Sequence, residues 1–417
     1  MQLKKPKSIR SALAVATCSM LSGVSHHATA ESTPWEFDTA LLYYAESDAD
    51  NDRVTVVEPV IRARKEIADE EFLTFRFVFD SLTGASANGA TPQNTPQTFT
   101  TPSGESTYTT NANQTPLDPS FHDARGAINA EWELPLSRLT KGIFSANFSQ
   151  EYDYTSMGLA ATLSRDFNNR NTTLTGGLSY NADTVRPVGG APEGLSPMPT
   201  TTAVKKTTIG SDLDKNVADL LVGVTQVINR NTLMQLNFSY GMDDGYLSDP
   251  YKIFSVVDNT GSLVGTDPYL FEKRPDSRAR QAIYWQTVHQ FTKDVINFSY
   301  RYYWDDWGIA SHTLDLKYRA ELGRGHYLEP QLRYYTQSKA DFYYFDTPDG
   351  STLSYASADY RLGDLDTSTI GLKYGITQDD NSEFAIRAAM YTQSSGGDAP
   401  FPDVTANIIQ FNYSFNF

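Results

Sequence analysis

The stretch that most narrows what this chain can fold into is its last one, Ile409 to Phe417. Every second residue is large and apolar: Ile409, Phe411, Tyr413, Phe415 and Phe417. Gln410, Asn412, Ser414 and Asn416 stand between them. A period of two specifies a β-strand with one apolar and one polar face. In a soluble sandwich the apolar face would pack on a core. In a membrane barrel it meets lipid, and the polar face lines water.

The same alternation recurs from Trp35 onward. Leu73, Phe75, Phe77 and Phe79 alternate with Thr74, Arg76, Val78 and Asp80. Ile128, Ala130, Trp132 and Leu134 oppose Asn129, Glu131 and Glu133, and Ile296, Phe298, Tyr300 and Tyr302 oppose Asn297, Ser299 and Arg301. Short polar connections such as Asn168–Asn171, Asn229–Asn231 and Gly323–Gly325 alternate with others that include long stretches, Gly84–Phe121, Asp183–Asn216 and Asp243–Arg280. That rhythm fits an up-and-down antiparallel barrel with tight periplasmic turns and longer outer loops. Counting gives about sixteen strands, with fourteen or eighteen open. The expected spans include 53–65, 217–228, 326–345, a bulged 354–376 and 405–417. The ending resembles that of bacterial outer-membrane barrels, which commonly close on Phe. The resemblance implies that Phe411, Tyr413, Phe415 and Phe417 form a signal for the barrel assembly machinery.

The amino terminus reads as an export signal. Lys4, Lys5, Lys7 and Arg10 precede a short apolar run, and Ala28-Thr29-Ala30 offers a small-x-small cleavage site. Residues 1–30 are therefore expected to be removed, leaving 31–417 as one barrel domain. The only cysteine, Cys18, lies in this leader, so the mature chain has no thiol for a disulfide or metal site. The net charge is −16, and losing four basic residues makes it −20. No basic field exists to neutralise phosphates, which argues against nucleic acid as a partner. No apolar run is long enough for a membrane-crossing helix.

Many charges fall on the polar faces of the strands. They are Arg62, Arg64, Arg76, Asp80, Glu131, Glu133, Arg301, Asp315, Lys317, Arg319, Glu321, Glu329, Arg333, Lys373 and Arg387. A basic side chain turned to lipid near the midplane would cost roughly 2–4 kcal/mol, so these are candidate lumen charges. They could field a passing solute or merely pair with one another across the wall.

Motifs for chemistry are sparse. Asp48-Ala-Asp50-Asn51-Asp52 begins like a calcium loop, but Arg53 and Pro59 occupy the places that need Gly and Glu. It reads better as an acidic turn. Arg274, Asp276, Arg278 and Arg280 would share one extended face, as an anion grip or an ion-pair network. The aromatics of Trp304-Asp305-Asp306-Trp307-Gly308 are expected at the lipid headgroups. His122, His289, His312 and His326 show no metal-ligand spacing. No catalytic residue and no cofactor are expected. An enzyme at the rim would depend on His122 or His312.

Ser81–Ala90 leaves the third strand in small residues and reads as a loop that packs closely, folded into the barrel mouth. Together with Gly245–Lys252, Arg274–Arg278 and Tyr302–Gly308 it resembles a proteobacterial outer-membrane barrel family, the domain-of-unknown-function group DUF3570. The resemblance implies the fold and brings no activity or catalytic residue. The expectation is an outer-membrane, porin-like channel for small polar solutes, its mouth narrowed by loops. Its partners would be outer-membrane lipid and lipopolysaccharide, and the assembly machinery during insertion. The alternative is a plugged barrel that docks a periplasmic or surface partner, with a redox component among the candidates.

Overall fold

The structure is a computed structural model that describes residues 34–48, 51–120, 122–396 and 403–417. The expected leader and Cys18 lie outside the described residues. Sixteen antiparallel strands form the wall. The first four are β1 (Glu36–Ser47), β2 (Asp52–Ala68), β3 (Glu71–Gly84) and β4 (His122–Ser137). Next come β5 (Thr140–Gln150), β6 (Tyr154–Phe167), β7 (Thr172–Val185) and β8 (Leu213–Asn229). They are followed by β9 (Thr232–Gly245), β10 (Ser277–Gln290), β11 (Val295–Asp305) and β12 (Ala310–Gly323). The last are β13 (His326–Gln337), β14 (Leu365–Thr377), β15 (Glu383–Ser395) and β16 (Val404–Asn416).

Each strand pairs with its sequence neighbour, and β1 pairs with β16 to close the barrel. The seam runs in register from Glu36 opposite Asn416 to Ser47 opposite Thr405. Beyond it, Trp35 and Phe417 exchange both backbone hydrogen bonds at 2.8 Å. Phe37 stacks on Phe415, centroids 5.3 Å apart. Closure leaves no unpaired edge, which is the condition for spanning lipid with strands.

The outer face is apolar around the barrel. Leu159, Leu178 and Ile370 are 69%, 62% and 58% exposed. Outward apolar residues at such exposure, strand after strand, form a belt far larger than soluble proteins tolerate. Such a belt is the outer surface of a membrane-spanning barrel, and this is an outer-membrane barrel. Aromatics gather towards both ends: Trp35, Phe37, Tyr413 and Phe415 at the periplasmic end, Tyr302, Trp304 and His312 at the outer end. No described helix is long and apolar enough to cross a membrane, which does not bear on strands.

Periplasmic turns are short, and four outer loops are long: residues 85–121, 186–212, 246–276 and 338–364. The fourth departs from the strand spans expected at 326–345 and 354–376. β13 stops at Gln337 and β14 starts at Leu365. The residues between are rich in β-favouring aromatics, but Phe342 and Tyr343 turn into a core of their own with Trp307, Ile309 and Leu362.

The four loops fold onto one another. Ile253–Val257 pairs antiparallel with Tyr269–Phe271 and parallel with Asp346–Pro348 of the fourth loop. The first loop adds a hairpin, Gln97–Thr100 with Thr107–Thr110. Phe99 from the first loop, Met198 from the second and Ile253, Tyr269 and Phe271 from the third share one buried cluster. Phe254, Ala356 and Ala358 share another. The loops therefore make a cap with its own apolar core.

Candidate functional site

The expected lumen charges all lie on the inner face, opposite the lipid belt, and most meet a partner there. Arg62 pairs with Asp38 at 2.6 Å, and Arg64 lies 3.5 Å from both Glu36 and Glu133. Arg125 donates to Asp80 at 2.8 Å. Arg76 stands opposite Arg62, and Glu131 is buried opposite Thr74 and Ser145. Across the lumen wall, Arg319 holds Glu321 at 2.6 Å and lies over the Tyr327 ring. Lys373 faces Glu383 at 3.5 Å and stands opposite Glu329. Arg333 and Asp315 are 3.9 Å apart, and Arg387 donates to Gln331 at 2.8 Å. Lys317 stands opposite Asn297 and Gln331, and Arg301 lies over Tyr303. Sequence reading missed the partners Asp38, Glu36 and Glu383, which sit at strand starts where alternation has barely begun.

These charges are unevenly spread. They occupy an arc from β11 to β15 that continues past the seam through β1 to β4. The facing arc, β5 to β9, is mostly polar and uncharged through its middle, with Ser145, Asn147, Thr162, Thr175, Ser179, Asn181, Gln235 and Asn237, although Asp219 stands opposite Ser179 and is held by Arg280. At the periplasmic end Tyr327 is fully buried against Gly375, where a Cβ would stand 2.1 Å from its ring. Of the C-terminal residues, Phe411, Tyr413 and Phe415 lie on the outward face and Phe417 is exposed at the end of the chain.

A buried ion network fastens the cap together. Arg274 joins Glu272 at 2.6 Å to Asp359 at 2.9 Å, so the third and fourth loops are tied. Arg361 grips Asp359 and reaches Asp249 at 3.2 Å. Lys252 donates to the Ala87 carbonyl of the first loop, and Ser357 donates to Glu272. Burial pulls the Lys252 ammonium down to about 8, although Asp359 and Asp249 oppose it. Burial alone would raise Asp359, but Arg361 and Arg274 hold it far below the usual carboxylate range. Burial raises Glu272 despite Arg274. Of the two readings of this run, the ion-pair network is the one found: Arg278 pairs with Asp305, and Arg280 with Asp243 at 2.6 Å and Asp219 at 3.4 Å. Asp276 is exposed.

The cap is anchored to the wall at several points. Gln337 of β13 donates to the Arg361 and Gly363 carbonyls at 2.9 and 2.7 Å. Arg53, paired with Glu46 at 3.0 Å, lies over the Tyr360 ring. Tyr251 donates to Asp153 at 2.6 Å. Trp307 corrects an expectation. It is not at the lipid headgroups but buried in the cap, its indole donating to the Ser277 carbonyl at 2.9 Å with Arg278 over its ring. Trp304 does face outward, 5.2 Å from Tyr302.

Between the first loop, the third loop and the β5–β6 turn lies a cavity of about 350 Å³. Asp118, His122, Asp123, Tyr152, Asp153 and Asp249 line it with Lys252 and several serines. Sequence reading had singled out His122 only as a rim histidine. His312 lies on the outer face against Tyr300 and Tyr302, away from this cavity. His289 is paired with Thr232 at 2.8 Å, and His326 with Tyr374 at 2.7 Å.

A family model described as a protein of unknown function, DUF3570, matches residues 10–415. The chain belongs to the DUF3570 family. No curated protein matches it. Among solved structures, this DUF3570 barrel is similar to a bacterial polysaccharide outer membrane secretin, at 9% identity and TM-score 0.45, over 93% of this chain and 99% of that one. It is similar to OccK2 (OpdF) of Pseudomonas aeruginosa at 7% identity and TM-score 0.41, over 92% and 98%. It is also similar to the CymD monoaromatic hydrocarbon channel at 7% identity and TM-score 0.42, over 93% and 89%.

Proposed function

We propose that this DUF3570 barrel is a channel for small polar solutes whose outer mouth is narrowed by the folded cap. The observation that carries the reading is the wet, two-sided inner wall. The side chains of Arg333 and Asp38 remain 51% and 45% accessible on the inner face, so water reaches the charged arc. The sparsely charged arc opposite carries Ser156 Oγ, Ser179 Oγ and Asn181 Nδ2, buried and without a protein partner among the described residues. Each unsatisfied group of this kind costs about 1–3 kcal/mol, so this stretch of wall keeps a polar rather than an apolar lining at some expense in stability. A densely charged arc facing a sparsely charged one sets a field across the lumen and favours dipolar solutes over apolar ones.

In this reading the barrel catalyses no reaction. Lipid and lipopolysaccharide surround it, and the assembly machinery inserts it through Phe411, Tyr413, Phe415 and Phe417. Liposomes carrying the purified protein should swell in small amino acids and sugars, faster for the smaller solutes. Swelling no faster than empty liposomes, for every solute tried, would refute the channel.

A second reading has its own support. The cap has a buried core and a closed ion network, as a permanent plug would. A barrel plugged for docking a periplasmic or surface partner should copurify with that partner and stay silent in liposomes.

A further inference from the structure

The periplasmic rim carries a charge pattern that the composition does not foretell. Basic residues number 34 against 50 acids. Yet five consecutive periplasmic turns, from β4–β5 to β12–β13, each present a base: Arg138, Arg170, Arg230, Lys293 and Arg324. We infer that this rim is a docking surface for the headgroups of anionic phospholipid in the periplasmic leaflet. Lipid class and leaflet go beyond the channel reading, and the surface stands on the orientation of the barrel alone.

The bases are available. All five are exposed. Among the described residues, Arg138, Arg230, Lys293 and Arg324 enter no salt bridge. Arg170 comes no nearer to Asp166 than 3.8 Å and donates to the Arg138 carbonyl at 3.0 Å. Asp294, the acid beside Lys293, is taken up by β12: it accepts from the Glu321 backbone N–H at 3.0 Å and from the Tyr318 hydroxyl at 2.8 Å. Turn geometry does not call for the arginines either. Arg170 and Arg324 hold φ of 66° and 55°, a region that Gly and Asn enter at less cost.

The surroundings of each base point to lipid. An exposed apolar side chain stands two or three residues before it: Leu136, Phe167, Ile228, Phe291 and Leu322, each 39–57% exposed. The apolar group ends the lipid belt, and the base reaches past it to the height of the phosphates. A guanidinium meets phosphate through two parallel hydrogen bonds, and a net negative headgroup adds attraction at longer range. Two further bases stand on the outward face at this end. Arg165 lies over the Phe167 ring at 5.5 Å and Lys65 over the Trp35 ring at 5.4 Å. Bases on that face are tolerable only where headgroups are within reach. An acidic protein docking from the periplasm would leave both unserved. The two remaining turns flank the seam and carry acids, Asp69-Glu70 and Asp379-Asp380. Ile67 before the first pair is 51% exposed, so the apolar anchor is present there and only the charge is reversed.

The test is native mass spectrometry of the purified barrel released from detergent micelles that contain phosphatidylglycerol or phosphatidylcholine. The parent should retain about five phosphatidylglycerols, one per basic turn, each held about fivefold more tightly than phosphatidylcholine. Arg138→Gln, Arg230→Gln and Arg324→Gln combined should retain about two. Asp69→Lys should add about one, a gain that lost folding cannot imitate. A heat-modifiability gel checks that each variant is folded. Equal retention of the two lipids by the parent, or parent-like retention of phosphatidylglycerol by the folded triple variant, would overturn the surface. A triple variant that keeps its lipid but loses a copurifying acidic protein would overturn it too, in favour of a protein dock. Selective lipid retention with silent liposomes would sink the channel and keep the surface, and swelling without selective retention would do the reverse.

Discussion

The barrel wall and the cap solve the same problem of burial in opposite ways. The wall sends its apolar residues outward and keeps charges such as Arg62 and Asp38 within reach of water. The cap sends Phe99, Phe254 and Trp307 inward and buries its charges outright, as with Arg274, Glu272 and Asp359. A wall charge that loses its partner can still be hydrated. A cap charge that loses its partner is stranded, and that is far more costly.

Arg274→Ala should therefore have the largest effect. It leaves Glu272 and Asp359 buried without their shared cation, a loss of roughly 3–5 kcal/mol from cap stability. Limited proteolysis should cut the third and fourth loops while the barrel stays folded on a heat-modifiability gel. Cleavage no faster than in the parent would mean that the network does not hold the cap.

The two neighbouring tryptophans sharpen the contrast. Trp307→Ala should cost the cap about 3–5 kcal/mol, as deletion of a buried aromatic does. Trp304→Ala, on the lipid side, should cost well under half as much. Hydrogen exchange of the fourth loop reads both. Equal effects would erase the distinction between a cap-core residue and a lipid-belt residue that stand three positions apart.

Acid should also separate the regions. The Asp359 pKa is depressed in the folded cap, so its contribution is present above its ordinary value of 3.8 and fades as pH falls towards the folded value. Glu272 is raised, so its contribution is intact in acid and fades instead as pH rises through its folded value. Cap protection against an acid-stable protease should thus fall below about pH 4. Asp359→Asn should start weaker and change less between pH 5 and 3. A parent cap that is equally resistant at both values would contradict this assignment.

The smallest effect belongs to the wall. Arg333→Gln removes one well-hydrated charge whose nearest acid is 3.9 Å away. Stability should change by less than about 1 kcal/mol. If the lumen conducts, reversal potential should shift towards cations by a few millivolts, on the order of what one screened charge supplies. A large loss of folded barrel would show that this wall charge is structural.

The same contrast explains what could be read from the sequence. The wall was legible because each strand records its own environment: Phe77 and Phe79 outward, Arg76 and Asp80 inward, with no need to know a distant partner. The cap was not, because its contacts join residues far apart in the chain. Arg274 and Asp359 are 85 positions apart, and no local period announces them. Phe342 and Tyr343 read as strand because aromatics favour strands, and only their packing against Trp307 reveals a loop. The rim cavity draws its acids from the first loop, β4, a turn and the third loop. Only folding brings Asp118, Asp123, Asp153 and Asp249 to one wall.

Single-channel recording in planar bilayers, parent against Arg274→Ala, bears most directly on a wet lumen beneath a fastened cap. The parent should give small, infrequent conductance steps, and the variant larger and longer ones at the same protein load. Silence from both, with the barrel shown to be inserted and folded, would contradict a lumen that water can cross.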